Sequence, residues 1–329
     1  MMTDPIRWGI LGTGNIAKQF ARGLTSVEDA RLVAVGSRAP ETAAAFGDEF
    51  EVPHRHATYE ALAADDEVDA IYVSTPHPFH KDNSILCLTS GKAVLCEKPF
   101  TVNAAEAAVV IDVARTENRF LMEAMWTRFI PAVVRVRQLL AEGAIGDVRM
   151  VQADFGFRAG VNPEGRLFNL DLGGGALLDV GVYSLSFAAM ILGTHPEQVV
   201  STADLGSTGV DEQSAFLLRY GGGELAVLSC AVRTSTAIDV RIFGTEGSIF
   251  VGSPFFKSES LTVKRGGEET TEHYPLEGNG YNYEAIEVGN CLRECRTESQ
   301  TMPLDETLAL MKLLDSIREP WGLKYPSDG

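Results

Sequence analysis

The segment IRWGILGTGNIA, residues 6–17, restricts the fold of this chain more than any other feature. An apolar strand runs directly into Gly12-Thr13-Gly14-Asn15-Ile16-Ala17, with Gly12, Gly14 and Ala17 at GxGxxA spacing and a helix expected over Asn15–Leu24. Glycines there allow a tight turn and a close approach of backbone to a pyrophosphate, and the N–H groups at a helix start point at such an anion. The spacing alone also fits an ordinary strand-to-helix turn. Its place at the first strand of a strand–helix–strand unit favours a dinucleotide site, with Gly12, Thr13, Gly14, Asn15 and Ile16 as the expected contacts.

The alternation continues through IRWGIL, RLVAVGS, DAIYVST, KAVLC and FLM, with helical runs such as Pro40–Phe50 between them. That pattern means a doubly wound parallel sheet of Rossmann type over residues 1–122. From Val148 the texture changes to VRMVQADFGF, SAFLLRY, GELAVLSCAV, DVRIFG, GSIFVG and LTVKR, short strands punctuated by turns. Residues 123–329 are therefore expected to form an α+β domain on an open, mostly antiparallel sheet. One helix should start near Ala176, and another carries Leu304, Leu308, Met311 and Leu314 behind Pro303. The overall class is α/β. In SAFLLRY and ELAVLSCAV both strand faces are apolar: Ala215 and Leu217 oppose Phe216 and Leu218, and Leu225 and Val227 oppose Ala226 and Leu228. Helices of the same chain can cover one face. A second copy is expected over the other, giving a homodimer through the C-terminal sheet.

Lys and Arg number 28 against 45 Asp and Glu, a net charge of −17 that repels phosphate backbones and anionic lipid. Nucleic acid and membrane are therefore not expected as partners, and a small-molecule substrate is. No apolar run approaches the ~20 residues of a membrane span; Phe187 to Leu192 is a fraction of that. The N-terminus reaches its first strand at Ile6 with no basic region or cleavage site before it. Cys87, Cys96, Cys230, Cys291 and Cys295 are odd in number and lack CxxC spacing, which suits reduced thiols and a cytoplasmic location. Cys291 and Cys295, four apart, are expected on one buried helix face.

The end of the second strand bears on cofactor choice. A site for NAD(H) places an acid there for the ribose 2′-hydroxyl, whereas this chain has Ser37 and Arg38, which suit the 2′-phosphate of NADP(H). A solvated loop arginine is the competing reading. Thr75-Pro76-His77 and His80 follow the fourth strand at a carboxyl edge where such sheets bind ligands. His77 and His80 lack an acidic or cysteine partner at ligand spacing, so no metal is expected; His54 and His56 flank a short edge strand as ordinary surface residues. The fifth strand delivers Glu97-Lys98-Pro99 to the same edge, where a lysine can stabilise a developing alkoxide. Farther on, LGGGALLDVGVYSLS carries Asp179 and Tyr183 four apart, on one helix face. A phenol, whose ordinary pKa is ~10, becomes a usable acid/base beside an ammonium group. A buried structural tyrosine is the alternative.

With EKP and DVGVY in one chain, together with MEAMWTRFIP, GAIGDVR, TGVDE and MPLDETLALMKLLDSIR, the sequence resembles the glucose–fructose oxidoreductase and inositol dehydrogenase family of NAD(P)-dependent oxidoreductases. Within it the likeness runs to the branch of dimeric dihydrodiol dehydrogenases and NADP-dependent D-xylose dehydrogenases. The resemblance implies Lys98 and Tyr183 as the catalytic pair, with Asp179 near the substrate hydroxyls. Many relatives carry histidine where this chain has Tyr183, which makes the tyrosine a branch marker. It also implies Trp126, Arg128, Phe155 and Arg158 as pocket residues, with packing between domains as the competing role. The expected activity transfers a hydride between NADP(H) and a hydroxyl carbon of a small polyhydroxylated ring, an aldopyranose such as D-xylose or a trans-dihydrodiol. Two alternatives share the fold: a glycosidase that oxidises its substrate transiently with NAD, and a dinucleotide-binding sensor without catalysis.

Overall fold

A computed structural model describes residues 4–328. By their contacts they form two units, each assembled from two stretches: residues up to Trp126 with Glu277–Leu308, and Thr127–Leu276 with the residues from Ala309 onward. The first unit opens with β1 (Ile6–Leu11), α1 (Asn15–Leu24), β2 (Ala30–Gly36), α2 (Pro40–Phe50), β3 (His54–His56) and α3 (Tyr59–Ala63). It continues with β4 (Ala70–Val73), α4 (His80–Thr89), β5 (Ala93–Glu97), α5 (Ala104–Thr116) and β6 (Leu121–Ala124). The strands lie in the order β3-β2-β1-β4-β5-β6 and every neighbouring pair is parallel. The order reverses between β1 and β4, and ligands of such sheets bind at that switch point. β4, β5 and β6 are buried throughout, which is why they read as apolar runs broken only by the buried Glu97 and Glu123. Phe20 of α1 stacks on Tyr72 of β4 with ring centres 3.9 Å apart and meets Trp8 of β1 edge-on at 5.2 Å. Those contacts seat α1 on the sheet and so fix where its N-terminus points.

The second unit contains α6 (Pro131–Ala141), β7 (Val148–Gly156), a π-helical turn Leu177–Gly181 that runs into α7 (Val182–Leu192), and β8 (Gln198–Leu205). Six further strands follow: β9 (Asp211–Arg219), β10 (Leu225–Ala231), β11 (Val240–Gly244), β12 (Gly247–Val251), β13 (Ser260–Arg265) and β14 (Glu268–His273). Its sheet has the order β14-β13-β12-β11-β7-β10-β9-β8, antiparallel at every pair except β7 with β10. The register aligns Leu218, Ala226, Val151, Ile242 and Ile249 in one row across five strands, all fully buried on the side that carries α7. Both expected sheets are thus present. α8 (Asn282–Arg293) belongs to the first unit, where the Asn279 amide just before it donates to the Gln19 carbonyl at 2.8 Å. α9 (Leu304–Arg318) closes the chain's regular structure.

Two expectations need correction. The helical stretch Leu170–Leu192 is 23 residues long and apolar enough to cross a bilayer, although no such stretch was expected. Its most apolar window is 83% buried inside the protein, so its composition reflects a core position against the sheet. Cys291 is buried on α8, but Cys295 lies beyond the helix end in a left-handed turn (φ 56°) and is exposed.

Candidate active site

In the first unit, Gly12 has φ +106°, and a Cβ there would lie 2.9 Å from the Ser74 hydroxyl, so the turn needs glycine. Gly14 faces open space at the start of α1, whose N-terminus receives no side-chain cap. The first N–H groups of α1 are thereby left for an external acceptor, the condition a pyrophosphate would meet. Ser37 is buried at the end of β2, where its hydroxyl lies 2.6 Å from that of Thr42 and its N–H donates to the His56 carbonyl at 3.1 Å. Arg38 is exposed with its guanidinium 5.4 Å over the Phe79 ring, and among the described residues it makes no ion pair. A free cation stacked on an aromatic face, with no acid at the strand end, fits an adenosine 2′-phosphate. The cradle therefore fits the dinucleotide that its spacing implies.

The next two loops are tied together by His80, which is fully buried. Its Nε2 lies 2.7 Å from the Thr75 carbonyl and its Nδ1 2.8 Å from the Pro99 carbonyl. His80 thus holds the Thr75-Pro76-His77 loop against the Glu97-Lys98-Pro99 loop. Desolvation lowers its pKa, although both backbone carbonyls oppose that. Asn83 donates to the Thr75 hydroxyl at 3.0 Å, and His77 packs its ring 5.7 Å from that of His80. Lys98 follows β5 half-buried, and its N–H donates to Glu97 Oε2 at 3.2 Å. Glu97 is buried and accepts a hydrogen bond from the Tyr72 hydroxyl. Behind it sits Glu284 of α8, fully buried with neither carboxyl oxygen hydrogen-bonded; burial and the neighbouring Glu97 push its pKa well up, toward the neutral acid. Trp126 stacks on Tyr281 at 4.3 Å and is buried. Sequence reasoning missed Tyr72, Tyr281 and Glu284, since a glutamate inside YNYEAIEV carries no local sign of burial.

The second unit holds the other candidates. Asp179 lies on the π turn and Tyr183 on the first turn of α7, both buried. Arg166 Nη1 donates to Asp179 Oδ1 at 2.8 Å, a partner that no motif announced. The Tyr183 ring lies 5.4 Å from Phe155 and 5.9 Å from Phe256, and those two phenylalanines stack on each other at 4.7 Å. Arg158 is exposed and forms an isolated backbone bridge with Arg233. Arg128, expected in the pocket, is buried under α7, where Nε donates to the Ser186 hydroxyl and Nη2 to the Ser186 carbonyl, each at 3.0 Å. Its role in this unit is to brace α7. A second brace is Asp211 of β9, whose Oδ2 accepts the Leu177 N–H at 2.7 Å at the start of the π turn. Gly175 (φ +120°) makes room for it, because a Cβ there would lie 2.2 Å from Asp211 Oδ1. Burial raises the Asp211 pKa to about 7.

A third cluster falls on residues read from sequence as ordinary surface histidines: His54, His56 and Asp65 bring their ligand-type atoms within 4.8 Å of one another.

A Rossmann sheet with this glycine turn beside a second open-sheet unit is the architecture of the NAD(P)-dependent oxidoreductases, and the comparisons with known proteins give the same class. Residues 6–125 match the oxidoreductase family with an NAD-binding Rossmann fold, and residues 133–250 match the GFO/IDH/MocA C-terminal domain. The chain belongs to the GFO/IDH/MocA oxidoreductase family, as its motifs led one to expect. It is 37% identical to mouse trans-1,2-dihydrobenzene-1,2-diol dehydrogenase over 98% of this chain and 99% of that enzyme. The human enzyme of the same name is 36% identical over the same shares. The solved structure of an aldose-aldose oxidoreductase from Caulobacter crescentus superposes with a TM-score of 0.88 at 26% identity, covering 96% of this chain and 97% of that one.

Proposed function

We propose that the protein is an NADP(H)-dependent dehydrogenase of small rings bearing vicinal hydroxyls, trans-dihydrodiols first and aldopyranoses such as D-xylose second. The observation that carries this reading is the setting of Tyr183, a phenol flanked by the stacked Phe155 and Phe256 four residues after the ion-paired Asp179. Aromatic faces suit the flat body of a ring, while hydroxyl and carboxylate suit its oxygenated edge. The relatives named for dihydrodiol oxidation and the aldose-acting structural neighbour support the same substrate class.

Residues 12–16 with Ser37 and Arg38 would hold the dinucleotide, which would supply the two-electron acceptor when bound. Tyr183 takes the proton of the reacting hydroxyl. The Lys98 ammonium stabilises the negative charge that develops on that oxygen. Asp179 accepts a hydrogen bond from the neighbouring hydroxyl and so orients the ring. Arg38 favours NADP(H) over NAD(H), and a 3-ketoreductase from Actinomadura kijaniata solved with NADP, 25% identical with a TM-score of 0.82, supports that choice; it covers 96% of this chain and 97% of that one. Free thiols at all five cysteines support a cytoplasmic location. The exposed face of the second sheet supports a homodimer.

The reading is tested by following NADPH absorbance with trans-dihydrodiols, pentoses, hexoses and inositols, each with NADP and with NAD. Reduced cofactor should accumulate with NADP and a ring diol. Product formed without net reduced cofactor would point to the glycosidase alternative, and no turnover of any diol would remove the proposal.

A further inference from the structure

We propose that His54, His56 and Asp65 form a binding site for a divalent transition-metal ion of the zinc class at the outer edge of the parallel sheet, independent of the catalytic groups assigned above. His54 and His56 alternate on β3, so both side chains leave the same face of the strand. Asp65 comes from the turn after α3. Its Oδ2 lies 2.7 Å from His54 Nδ1 and 2.8 Å from His56 Nε2, and the three ligand-type atoms all lie within 4.8 Å of one another. Two imidazole nitrogens and a carboxylate oxygen are a donor set for zinc rather than for magnesium or calcium, which prefer oxygen alone.

The spacing is close to what the ion needs. Bonds of ~2.0–2.1 Å set neighbouring ligands of a tetrahedron about 3.3 Å apart, so each imidazole would retreat by roughly half an ångström. The carboxylate is already fixed from behind. Asp65 Oδ1 accepts the Glu67 N–H at 2.9 Å, which leaves Oδ2 directed at the imidazoles. Lys92 Nζ locks the same turn by donating to the carbonyls of Asp65 at 2.6 Å and Val68 at 2.9 Å. Such outer partners orient a ligating carboxylate and strengthen its grip. Both histidines keep part of their rings in solvent, so an ion can enter and water can complete its coordination. The His56 carbonyl also accepts the Ser37 N–H, which links the site mechanically to the strand end that precedes Arg38.

The test titrates zinc chloride into the chelator-stripped full-length protein by calorimetry, with cobalt substitution as an optical readout. One zinc per chain should bind with micromolar or tighter affinity, and His56→Gln and Asp65→Asn should each weaken it about a hundredfold. The cobalt form should show the visible bands of a tetrahedral nitrogen and oxygen site. Cys295→Ser, which removes the exposed thiol, should leave binding intact. If His56→Gln fails to fold by circular dichroism, His54→Gln, with its more exposed ring, takes its place. Absence of binding, binding indifferent to the histidine and aspartate variants, or loss of binding in Cys295→Ser would each overturn the assignment.

Discussion

Tyr183 packs its ring near Phe155 and Phe256, so replacing it with phenylalanine keeps the packing and removes only the hydroxyl. As the acid/base, Tyr183→Phe should lose ~10² to 10⁴ in kcat. NADP(H) dissociation should barely change, and stability should shift by about 1 kcal/mol for one lost hydrogen bond. Lys98→Met should be at least as damaging, and the double variant scarcely worse than either, as for groups that serve the same chemical step. Steady-state rates and cofactor titration check this; near wild-type turnover in Tyr183→Phe would make the tyrosine structural. At the cofactor edge, Arg38→Asp removes the exposed cation and adds repulsion. NADP(H) affinity should fall by ~2 kcal/mol while NAD(H) is spared, measured by fluorescence titration of both. Equal losses would refute the 2′-phosphate assignment. At this scale the sequence shows which side chains carry chemistry but not which ones the fold consumes. His80 and Arg128 look like ligand-binding groups in the text, and the fold gives both of them backbone and helix contacts that the text does not show. Arg166, the partner of Asp179, lies in a loop with no motif around it.

The helix that carries Asp179 and Tyr183 starts as a π turn held by Asp211, and this element has its own pH dependence. Burial raises Asp211 from an ordinary value of 3.8 to about 7, so the folded protein holds a proton there that the unfolded chain releases at lower pH. The sign follows: this contribution to stability is full below about pH 4 and is lost as pH rises through about 7, at roughly 1.4 kcal/mol per pH unit between those limits. Asp211→Asn keeps an oxygen for the Leu177 N–H and removes the titration. Urea unfolding at pH 5 and pH 8 should therefore show a shallower loss of stability in the variant than in the wild type, and identical slopes would discount Asp211 as the titrating group. The Asp179 to Tyr183 spacing could not distinguish a π turn from an α turn, because both keep residues four apart on neighbouring positions. Other elements were legible to the residue. α1 and α2 begin and end where glycine, proline and apolar spacing place them. The edge strands β8 and β14 were not, since QVVSTADL and EETTEH contribute mainly backbone pairing and bury little apolar surface.

Across the whole chain, the first unit regains residues 277–308 through contacts that no local pattern encodes, such as the Leu121 N–H donating to the Thr297 carbonyl at 3.1 Å and the Thr307 hydroxyl donating to Glu123 at 3.1 Å. The second, exposed face of the other unit's sheet is more readable, because it depends on strand alternation. Opposite the buried row of the second sheet, the register aligns Val200, Leu217, Val227, Gln152, Arg241 and Phe250 across six strands. Val200, Val227 and Phe250 are 53%, 39% and 38% exposed, and Arg241 covers the Phe250 ring at 5.6 Å. This row contains no carboxylate in a chain with 45 of them and a net charge of −17. A central row free of the prevailing charge is one along which a second copy can settle without repulsion, and a twofold axis would set the row against itself. The expected species is therefore a homodimer through this sheet. Val227→Lys sets a positive charge on each copy at the middle of the proposed contact, on a solvent-facing position where it costs the fold little. Light scattering at micromolar concentration should report a dimer for the wild type and a monomer for Val227→Lys, with unchanged circular dichroism. A wild type that is monomeric, or a variant that still dimerises with the same affinity, would show that the exposed row serves some other contact.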